Sequence, residues 1–308
     1  MIETEGLTKH YDSLAALVDL NLTIPAGGVF GFIGPNGAGK TTTMRILATL
    51  LEPTRGRAKI DGLDVRTQGA KVRRLVGYMP DFMGVYDDLK VYEYLDFFAA
   101  AFDIPSRKRP SLIDGVLELT DLTVKRAALV DTLSRGMQQR LQLARVLIHD
   151  PKVLILDEPA SGLDPRARIE IRELLRELGR MGKTIMVSSH ILSELAELCS
   201  QFGIIEKGRL IFNGTLDEIR TRMGLHMKVR VKVGERMDDA VAVLGGMPEI
   251  ESVTRVDDYL SVKFGEGRRG DGIIARALVG AGFDVTAIVP EEVNLDEAFL
   301  EITRGAVQ

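Results

Sequence analysis

Eight residues near the start of the chain have the types and spacing of a phosphate-binding loop. They fit the pattern G-x-x-x-x-G-K-[ST] and comprise Gly34, Pro35, Asn36, Gly37, Ala38, Gly39, Lys40 and Thr41. Small residues let successive backbone N–H groups turn toward phosphate oxygens, and the helix that follows adds the positive end of its dipole. Lys40 supplies a mobile cation for the terminal phosphates, and the Thr41 hydroxyl can ligate Mg²⁺. A predicted strand before the loop and a predicted helix after it argue against a chance match on a glycine-rich turn.

Two adjacent carboxylates are candidates for the metal ligand and the catalytic base. Asp157 and Glu158 directly follow Val153–Leu156, four apolar residues that predict a strand buried on both faces. Ligands of open α/β sheets bind at the carboxyl ends of the strands. We expect Asp157 to hold Mg²⁺, directly or through water, and Glu158 to accept a proton from the attacking water. Without the upstream loop, two solvated carboxylates at a strand end would explain the pair equally well.

Further motifs, in their order and spacing, resemble those of the ATP-hydrolysing subunit of an ABC transporter over about residues 1–220. Residues 133–140, LSRGMQQR, resemble the signature L-S-G-G-Q of that family, and residues 161–164, SGLD, match the loop after the acidic strand. His190 follows a predicted strand and matches the switch histidine. Tyr11 lies where the family has an aromatic residue that stacks on adenine, a contact of ~1–3 kcal/mol.

The resemblance implies a P-loop ATPase that works as a dimer, with ATP and Mg²⁺ as its ligands. It implies that Lys40, Glu158 and His190 are catalytic and that Thr42 joins the loop in binding nucleotide. Each subunit would hold half of a hydrolysis site. The signature residues of one subunit would face the γ-phosphate held by the other, and they are Ser134, Arg135, Gly136 and Met137. ATP would close the dimer and hydrolysis would open it.

Three positions depart from the family pattern. Arg135 and Met137 replace a glycine and a glutamine of the signature, and Asp81 replaces the glutamine that usually follows Pro80. Arg135 adds a positive charge near a phosphate but restricts the backbone if that position needs a positive φ. An ionised Asp81 can only accept hydrogen bonds, whereas glutamine also donates them. We therefore expect Asp81 to contact Mg²⁺ or one of its water ligands.

The first part of the chain alternates predicted strands with predicted helices, which indicates an α/β fold with a mostly parallel sheet. Predicted helices cover 40–50, 166–180 and 191–199, and predicted strands cover 29–33, 153–156 and 184–188, with a hairpin at 203–206 and 209–212. No strand pattern interrupts 87–150, so we expect a helical subdomain over about 82–150. Most of its apolar and aromatic residues, which run from Phe82 to Phe98, should be core. By resemblance, some should face a groove that receives a short helix of the membrane subunit.

A change of charge near Gly224 predicts two domains, 1–222 and 226–308. The order of elements after residue 228 is βαββαβ, which is typical of an α+β ferredoxin-like unit, and a last helix is predicted over Leu295–Ile302. We find no metal-ligand cluster or nucleophile–base pair there, and its only histidine is His226 at the boundary. A dimer-contact or spacer role and a regulatory ligand site both remain open, because this fold serves many functions.

Composition limits the remaining possibilities. The 308 residues carry 40 basic and 44 acidic side chains, and 45% are hydrophobic, which excludes a disordered chain and requires no nucleic-acid partner. One cysteine allows no internal disulfide. No run approaches the ~18–20 apolar residues of a membrane span, and the acidic start does not resemble a secretion signal. Any membrane role must then run through another chain, and the resemblance implies a peripheral protein on the cytoplasmic face of the plasma membrane, bound to a separately encoded permease.

The leading interpretation is an exporter ATPase subunit that acts as a homodimer, although a paralogue could replace the second copy. A soluble ABC-type ATPase that acts on ribosomes or DNA is the main alternative. Such proteins usually carry two ATPase domains, long coiled coils or zinc hooks, which this sequence lacks. A third interpretation is an ATP sensor without useful hydrolysis, given the altered signature. The sequence does not indicate what would be transported.

Overall fold

The computed structural model describes residues 1–81, 86, 88–222, 228–265 and 271–290. The chain divides into two compact units, Met1–Thr215 and Leu216–Gln308, each of which is described by itself. Several predictions lie outside the described residues, namely those for Phe82, Met83, Val85, His226 and the helix Leu295–Ile302. The boundary at 222–226 stays a prediction. In the described part, no helix has both the length and the apolar character that crossing a bilayer requires.

The first unit contains ten strands and seven helices within the described residues. The strands are β1 Ile2–Tyr11, β2 Leu14–Ile24, β3 Gly28–Ile33, β4 Arg55–Ile60, β5 Leu63–Asp64, β6 Val76–Met79, β7 Val153–Leu156, β8 Thr184–Ser189, β9 Gln201–Glu206 and β10 Arg209–Gly214. The helices are α1 Lys40–Leu47, α2 Gly69–Leu75, α3 Val91–Ala101, α4 Arg109–Leu119, α5 Arg135–Leu147, α6 Pro165–Arg180 and α7 Leu192–Ala196. A further helix, α8 Leu216–Arg222, begins the second unit.

A six-stranded sheet with the order β10-β9-β3-β8-β7-β6 forms the centre of the first unit. Neighbouring strands from β9 to β6 run parallel, and every residue of β7 and β8 is buried. Such continuous burial is typical of parallel strands covered on both faces. This confirms the predicted α/β sheet. Because β3, β7 and β8 are parallel, their carboxyl ends meet at one edge of the sheet.

A second, antiparallel sheet with the order β2-β1-β4-β5 was not predicted. Its apolar residues, such as Ile2 and Leu20, join Phe32, Met44 and Ile155 in one core with α1 and the central sheet. The alternation of buried and exposed residues in β1 breaks where the register shifts between Thr4 and Leu7. A bulge of this kind disrupts the period of two by which a half-buried strand is recognised.

The stretch predicted to be helical contains α3, α4 and α5, linked by short 3₁₀ turns. The three helices pack around their own core, which includes Tyr94, Leu95, Ile113, Leu117 and Leu141. Tyr86 and Phe97 lie outside this core, and both side chains are more than half exposed. In this segment, Tyr94 therefore belongs to the core, whereas Tyr86 and Phe97 face the solvent.

Two helices are shorter than predicted. Helix α1 ends at Leu47 instead of residue 50. Thr49, within the predicted range, has a positive φ of 63°, which is not helical. Helix α7 covers Leu192–Ala196 instead of 191–199. Just after α7, Cys199 is buried against β3, where the Sγ atom is 3.2 Å from the position that a Cβ on Gly31 would take. Burial strongly raises the pKa of this thiol.

The second unit contains β11 Lys228–Val233, α9 Met237–Gly245, β12 Ile250–Val256, β13 Tyr259–Phe264, α10 Asp271–Gly280 and β14 Val285–Pro290. The strands form an antiparallel sheet with the order β12-β13-β11-β14, which is the order of a split βαβ arrangement. Val231 and Leu260 of the sheet pack against Leu244 of α9 and Ile274 and Leu278 of α10. The predicted order of elements is therefore observed.

Candidate functional site

The phosphate-loop residues connect β3 to α1 and take conformations that require glycine. Gly37 and Gly39 have φ angles of 80° and 110°, a region that residues with a side chain rarely adopt. A Cβ on Gly39 would also lie 2.7 Å from the carbonyl oxygen of Ala16. Gly39 is the N-cap of α1, so the free backbone N–H groups of this helix start inside the loop.

Lys40 is almost completely buried beneath this loop, with 6% of its surface exposed. Its ammonium group donates a hydrogen bond to the carbonyl oxygen of Gly34 at 2.6 Å and lies 3.3 Å from Oε1 of Glu158. The cation therefore bridges the loop and the acidic strand end. A buried charge needs such partners because its own hydration is lost.

Glu158 is held between two basic side chains. Its Oε1 faces Lys40, and its Oε2 lies 3.0 Å from Nδ1 of His190. Its backbone has a positive φ of 51°, which is uncommon for a residue with a side chain. The carboxylate is largely buried, whereas the His190 ring is about half exposed. This Lys40–Glu158–His190 chain joins three residues that the sequence predicts to be catalytic.

Asp157 lies deeper and has one unpartnered oxygen. Its Oδ1 accepts a hydrogen bond from the Ser188 hydroxyl at 2.7 Å, and its buried Oδ2 has no partner among the described residues. The hydroxyl of Ser188 also accepts a hydrogen bond from the backbone N–H of Glu158 at 2.9 Å. One serine thus fixes both acidic residues. Ser188 was not predicted to have a role, although a hydroxyl residue in a buried strand was a usable signal.

Asp81 belongs to the same electrostatic environment. Burial, together with the nearby charges of Asp157 and Glu158, raises the pKa of its carboxyl, while Arg135 and Lys40 act in the opposite direction. Like charges close together disfavour ionisation. Asp81 and Glu158 line the same cleft, and the contact of Asp81 with Mg²⁺ stays a prediction.

A cleft of about 380 Å³ contains most of the predicted nucleotide-binding residues. Its lining includes Tyr11, Thr41, Thr42, Asp81, Glu158, His190 and loop residues 35–40. Gly34 lies behind it and accepts the hydrogen bond from Lys40. The Tyr11 ring is 41% exposed, with the Lys9 ammonium 5.3 Å from its centroid. An exposed aromatic ring beside a phosphate loop is suited to stacking on a base.

The signature residues do not line this cleft. Ser134 is the N-cap of α5, and its hydroxyl accepts a hydrogen bond from the backbone N–H of Met137 at 3.4 Å. Arg135 is the first residue of α5 and has no positive φ, so its side chain does not strain the backbone. Its Nη2 donates to the carbonyl oxygen of Ser161 at 3.4 Å. Met137 packs against the core of α3, α4 and α5, and the role of these residues in a second site stays a prediction.

The oxygen atoms around the loop fit a hard divalent cation. The unpartnered Oδ2 of Asp157, the Thr41 hydroxyl and the Asp81 carboxylate are all ligand types that Mg²⁺ prefers. Among the described residues, no group of three acidic, histidine or cysteine side chains could hold a metal ion. In nucleotide sites, Mg²⁺ usually takes one or two carboxylates and completes its shell with phosphates and water.

Comparisons with known proteins agree with this geometry. A family model described as ABC transporter matches residues 17–161. The chain is 34% identical to the daunorubicin resistance ATP-binding protein DrrA3 of Streptomyces coeruleorubidus, over 98% of this chain and 95% of that protein. It is also 34% identical to the bacitracin transport ATP-binding protein BcrA of Bacillus licheniformis, over 99% and 98%. A dimeric bacterial ABC transporter cassette superposes with a TM-score of 0.64 and 26% identity, over 70% of this chain and 99% of that one.

Proposed function

This chain belongs to the ATP-binding proteins of the ABC transporter family, and we propose that its ATP hydrolysis drives export through a separately encoded membrane permease. The observation that carries the proposal is the Lys40–Glu158–His190 chain at the edge of the cleft. In it, a cation, a carboxylate and a histidine lie in contact beside the predicted phosphate loop. The first test is ATP hydrolysis by the purified protein, with and without the membrane protein that co-purifies with it.

Hydrolysis requires Lys40 to exchange partners. Its ammonium group contacts Gly34 and Glu158, and an incoming γ-phosphate would compete for the same cation. This exchange would release the Glu158 carboxylate to accept a proton from the attacking water. His190 would keep Glu158 oriented through the contact with Nδ1, and only the doubly protonated ring could also donate to the γ-phosphate from Nε2.

Thr41, Asp157 and Asp81 are the residues that would hold Mg²⁺. The ion would neutralise charge on the phosphates when it is bound. Asp157 is the strongest candidate, because its side chain is buried and its Oδ2 has no hydrogen-bond partner among the described residues. Ser188 would fix the carboxylate through Oδ1, so that Oδ2 keeps a constant direction.

The signature residues would complete the site of a second copy of the chain. Ser134 and Gly136 lie at the start of α5, where free backbone N–H groups can bind a phosphate. The dimeric cassette supports this arrangement, because it shares the fold of the first unit. ATP would hold the two copies together until it is hydrolysed.

The relatives named for daunorubicin resistance and bacitracin transport support an export role. We place the protein on the cytoplasmic face of the membrane, bound to a permease. A pull-down of the tagged protein from detergent-solubilised native membranes tests this, with mass spectrometry of its partners. Recovery of a hydrophobic multi-span protein is expected. Recovery of soluble partners alone, with no tagged protein in the membranes, would contradict the proposal.

A further inference from the structure

A chain of hydrogen bonds outside the nucleotide cleft holds the backbone on both sides of His190. The Ser189 hydroxyl donates to Oε2 of Glu194 at 3.0 Å and accepts from the backbone N–H of Ile191, also at 3.0 Å. Ser189 ends β8, and Glu194 lies in the first turn of α7. The Glu194 carboxylate therefore holds the turn that carries His190.

Arg168 connects Glu194 to a second loop, residues 161–164, which follows the acidic strand. Its Nη1 lies 2.9 Å from Oε1 of Glu194, and its Nε donates to the carbonyl oxygen of Leu163 at 2.9 Å. Arginine can make both contacts at once because its donors are spread over a rigid planar fork. The two oxygens of Glu194 are thus divided between the two loops, with Oε2 facing Ser189 and Oε1 facing Arg168.

Both loops border a cavity of about 310 Å³ that also reaches Glu158. Arg168, Glu194 and Ser189 are part of its lining. Side chains beside a void lack packing partners on that side. The positions of the two loops therefore depend on their hydrogen bonds more than on contact with a solid core.

Both loops contribute to the candidate hydrolysis site. Nδ1 of His190 lies 3.0 Å from Oε2 of Glu158, so a change in the direction of the ring alters this contact. Ser161 of the second loop lines the nucleotide cleft together with Glu158. Arg168 and Glu194 do not line that cleft, so any effect that they have on hydrolysis must pass through the two loops.

We infer that Arg168 and Glu194 are positioning residues for hydrolysis, which orient His190 toward the Glu158 carboxylate and hold the second loop in place. The inference rests on the proposed function, because it concerns the same hydrolysis site. In Glu194→Gln, one amide oxygen replaces two carboxylate oxygens, so the serine hydroxyl and the guanidinium compete for a single acceptor. The turn that carries His190 is then released, while the side chain at position 194 keeps its size.

The same two helices offer a matched control. Arg172 lies one turn farther along α6, and its Nη1 is 3.2 Å from Oε2 of Glu197, the residue that caps the end of α7. Among the described hydrogen bonds, this pair reaches neither loop. Both pairs are partly exposed, and ion pairs of that kind add little to stability. Glu194→Gln and Glu197→Gln should therefore have similar melting midpoints, so a difference in hydrolysis reports position and not folding.

Steady-state hydrolysis by the purified full-length chain, with its co-purified membrane protein present, is the first readout. Glu194→Gln is expected to lower kcat at least about tenfold, because small displacements of a catalytic group are costly, while ADP affinity stays within about twofold of the parent's. Glu197→Gln should keep the parent's kcat. In a His190→Ala background, Glu194→Gln should lower kcat by less than about twofold further, since the residue through which it acts is gone. Ser189→Ala should behave as Glu194→Gln does, and Ser189→Thr, which keeps the hydroxyl, should restore most of the loss.

Nuclear magnetic resonance of isotope-labelled histidine gives a second readout, which does not depend on hydrolysis. The chain has four histidines, and the signals of His190 are identified by their loss in His190→Ala. Glu194→Gln should shift the His190 ring signals in the nucleotide-free protein, because the contact between Nδ1 and Glu158 changes. Glu197→Gln should leave them in place, and the other three histidines should be unaffected in both variants.

The outcomes separate the two proposals. Equal kcat values for Glu194→Gln, Glu197→Gln and the parent, with unmoved His190 signals, would overturn the positioning role while the proposed function stands. A full loss that persists in the His190→Ala background would also overturn it, since the effect would then not pass through His190. A parent that does not hydrolyse ATP even with the membrane protein present would contradict the proposed function, and the role in hydrolysis would fail with it. A loss confined to chains that contain His190, together with shifted signals, supports both.

Discussion

Glu158 takes a backbone conformation that a residue with a side chain usually avoids. A positive φ costs on the order of 1 kcal/mol or more for such a residue, so the surroundings must hold it in place. Its N–H is held by Ser188, and its carboxylate is held by Lys40 and His190. The conformation turns the carboxylate toward the cleft, away from the direction that Asp157 takes. Strain of this kind is typical of functional sites.

Glu158→Gln is expected to bind ATP and to hydrolyse it at least about 100-fold more slowly, because an amide cannot accept the proton of the attacking water. The variant should also accumulate as a dimer with ATP. Steady-state phosphate release and light scattering measure the two effects. Glu177→Gln, an exposed carboxylate on α6, should behave as the parent does. Hydrolysis by Glu158→Gln at the parent's rate would exclude Glu158 as the base.

Asp81→Asn is expected to stabilise the nucleotide-free protein at neutral pH. The pKa of Asp81 is raised in the folded protein, so the folded chain binds this proton more tightly than the unfolded chain does. The contribution of Asp81 to stability is therefore fully present below the unfolded pKa and is lost as the pH rises through the folded pKa. We expect a rise of up to about 3 °C in the melting midpoint at pH 7.5, which disappears below about pH 4.

Thermal melting in EDTA, measured across this pH range, checks the prediction for Asp81. Asp131→Asn, an exposed carboxylate that does not line the cleft, is the control. A midpoint that does not rise at neutral pH would show that the neighbouring carboxylates do not disfavour the ionised Asp81. With ATP added, the Mg²⁺ dependence of hydrolysis should also change in Asp81→Asn, and an unchanged dependence would remove Asp81 from the metal site.

At the scale of elements, the turn from β3 into α1 places the strictest requirements on residue type, because its backbone needs glycine. Gly39 combines a φ of 110° with a close approach to the carbonyl oxygen of Ala16, and the Gly37 position has a positive φ but open space. A substitution at Gly37 therefore tests backbone strain alone, whereas a substitution at Gly39 tests strain together with steric overlap. Both belong to the predicted phosphate-binding loop.

Gly39→Ala is expected to lower the melting midpoint by about 2–10 °C and to weaken ATP binding at least about tenfold, because it adds overlap to strain. Gly37→Ala should lower the midpoint less. Gly115→Ala, in the open middle of α4, should keep or raise the midpoint, since alanine favours a helix. Calorimetry and nucleotide titration measure these effects. Equal losses in Gly37→Ala and Gly39→Ala would show that the contact with Ala16 is unimportant.

Elements with one dominant local signal could be predicted from the sequence. Strands β3, β7 and β8 each contain a run of apolar residues, and their ends lie within one residue of the predicted bounds. The antiparallel β1 was missed, because register shifts break its alternation, and β2 was missed although buried and exposed residues alternate from Leu20 to Ile24. The role of Ser188 was missed for another reason. Its hydrogen bond to Asp157 joins residues 31 apart in sequence, and only the parallel pairing of β7 with β8 brings them together.

At the scale of the whole molecule, each unit has core residues of its own. Two clusters, around Phe32 and around Tyr94, are built from residues that precede Leu216, and a third, around Val231, is built from residues from Val229 onward. These three clusters share no described residue. Folding of the first unit should therefore not need the second.

A fragment of residues 1–222 is expected to unfold in one cooperative transition and to bind ATP within about threefold of the full chain's affinity, because the described cleft lies in the first unit. Calorimetry and nucleotide titration check both statements. The full-length chain under the same conditions is the control. Loss of cooperative unfolding in the fragment would show that residues beyond 222 complete the fold of the first unit.

The buried thiol of Cys199 can report transient local opening of the folded chain. Because it is the sole cysteine and its ionised form is suppressed, a thiol reagent can modify it only while the contact with β3 is transiently open. The modification rate in native buffer therefore measures how often this part of the sheet opens. The same feature leaves any cysteine introduced at the surface as the single fast-reacting position, so a fluorescent label can be attached without removing a native residue.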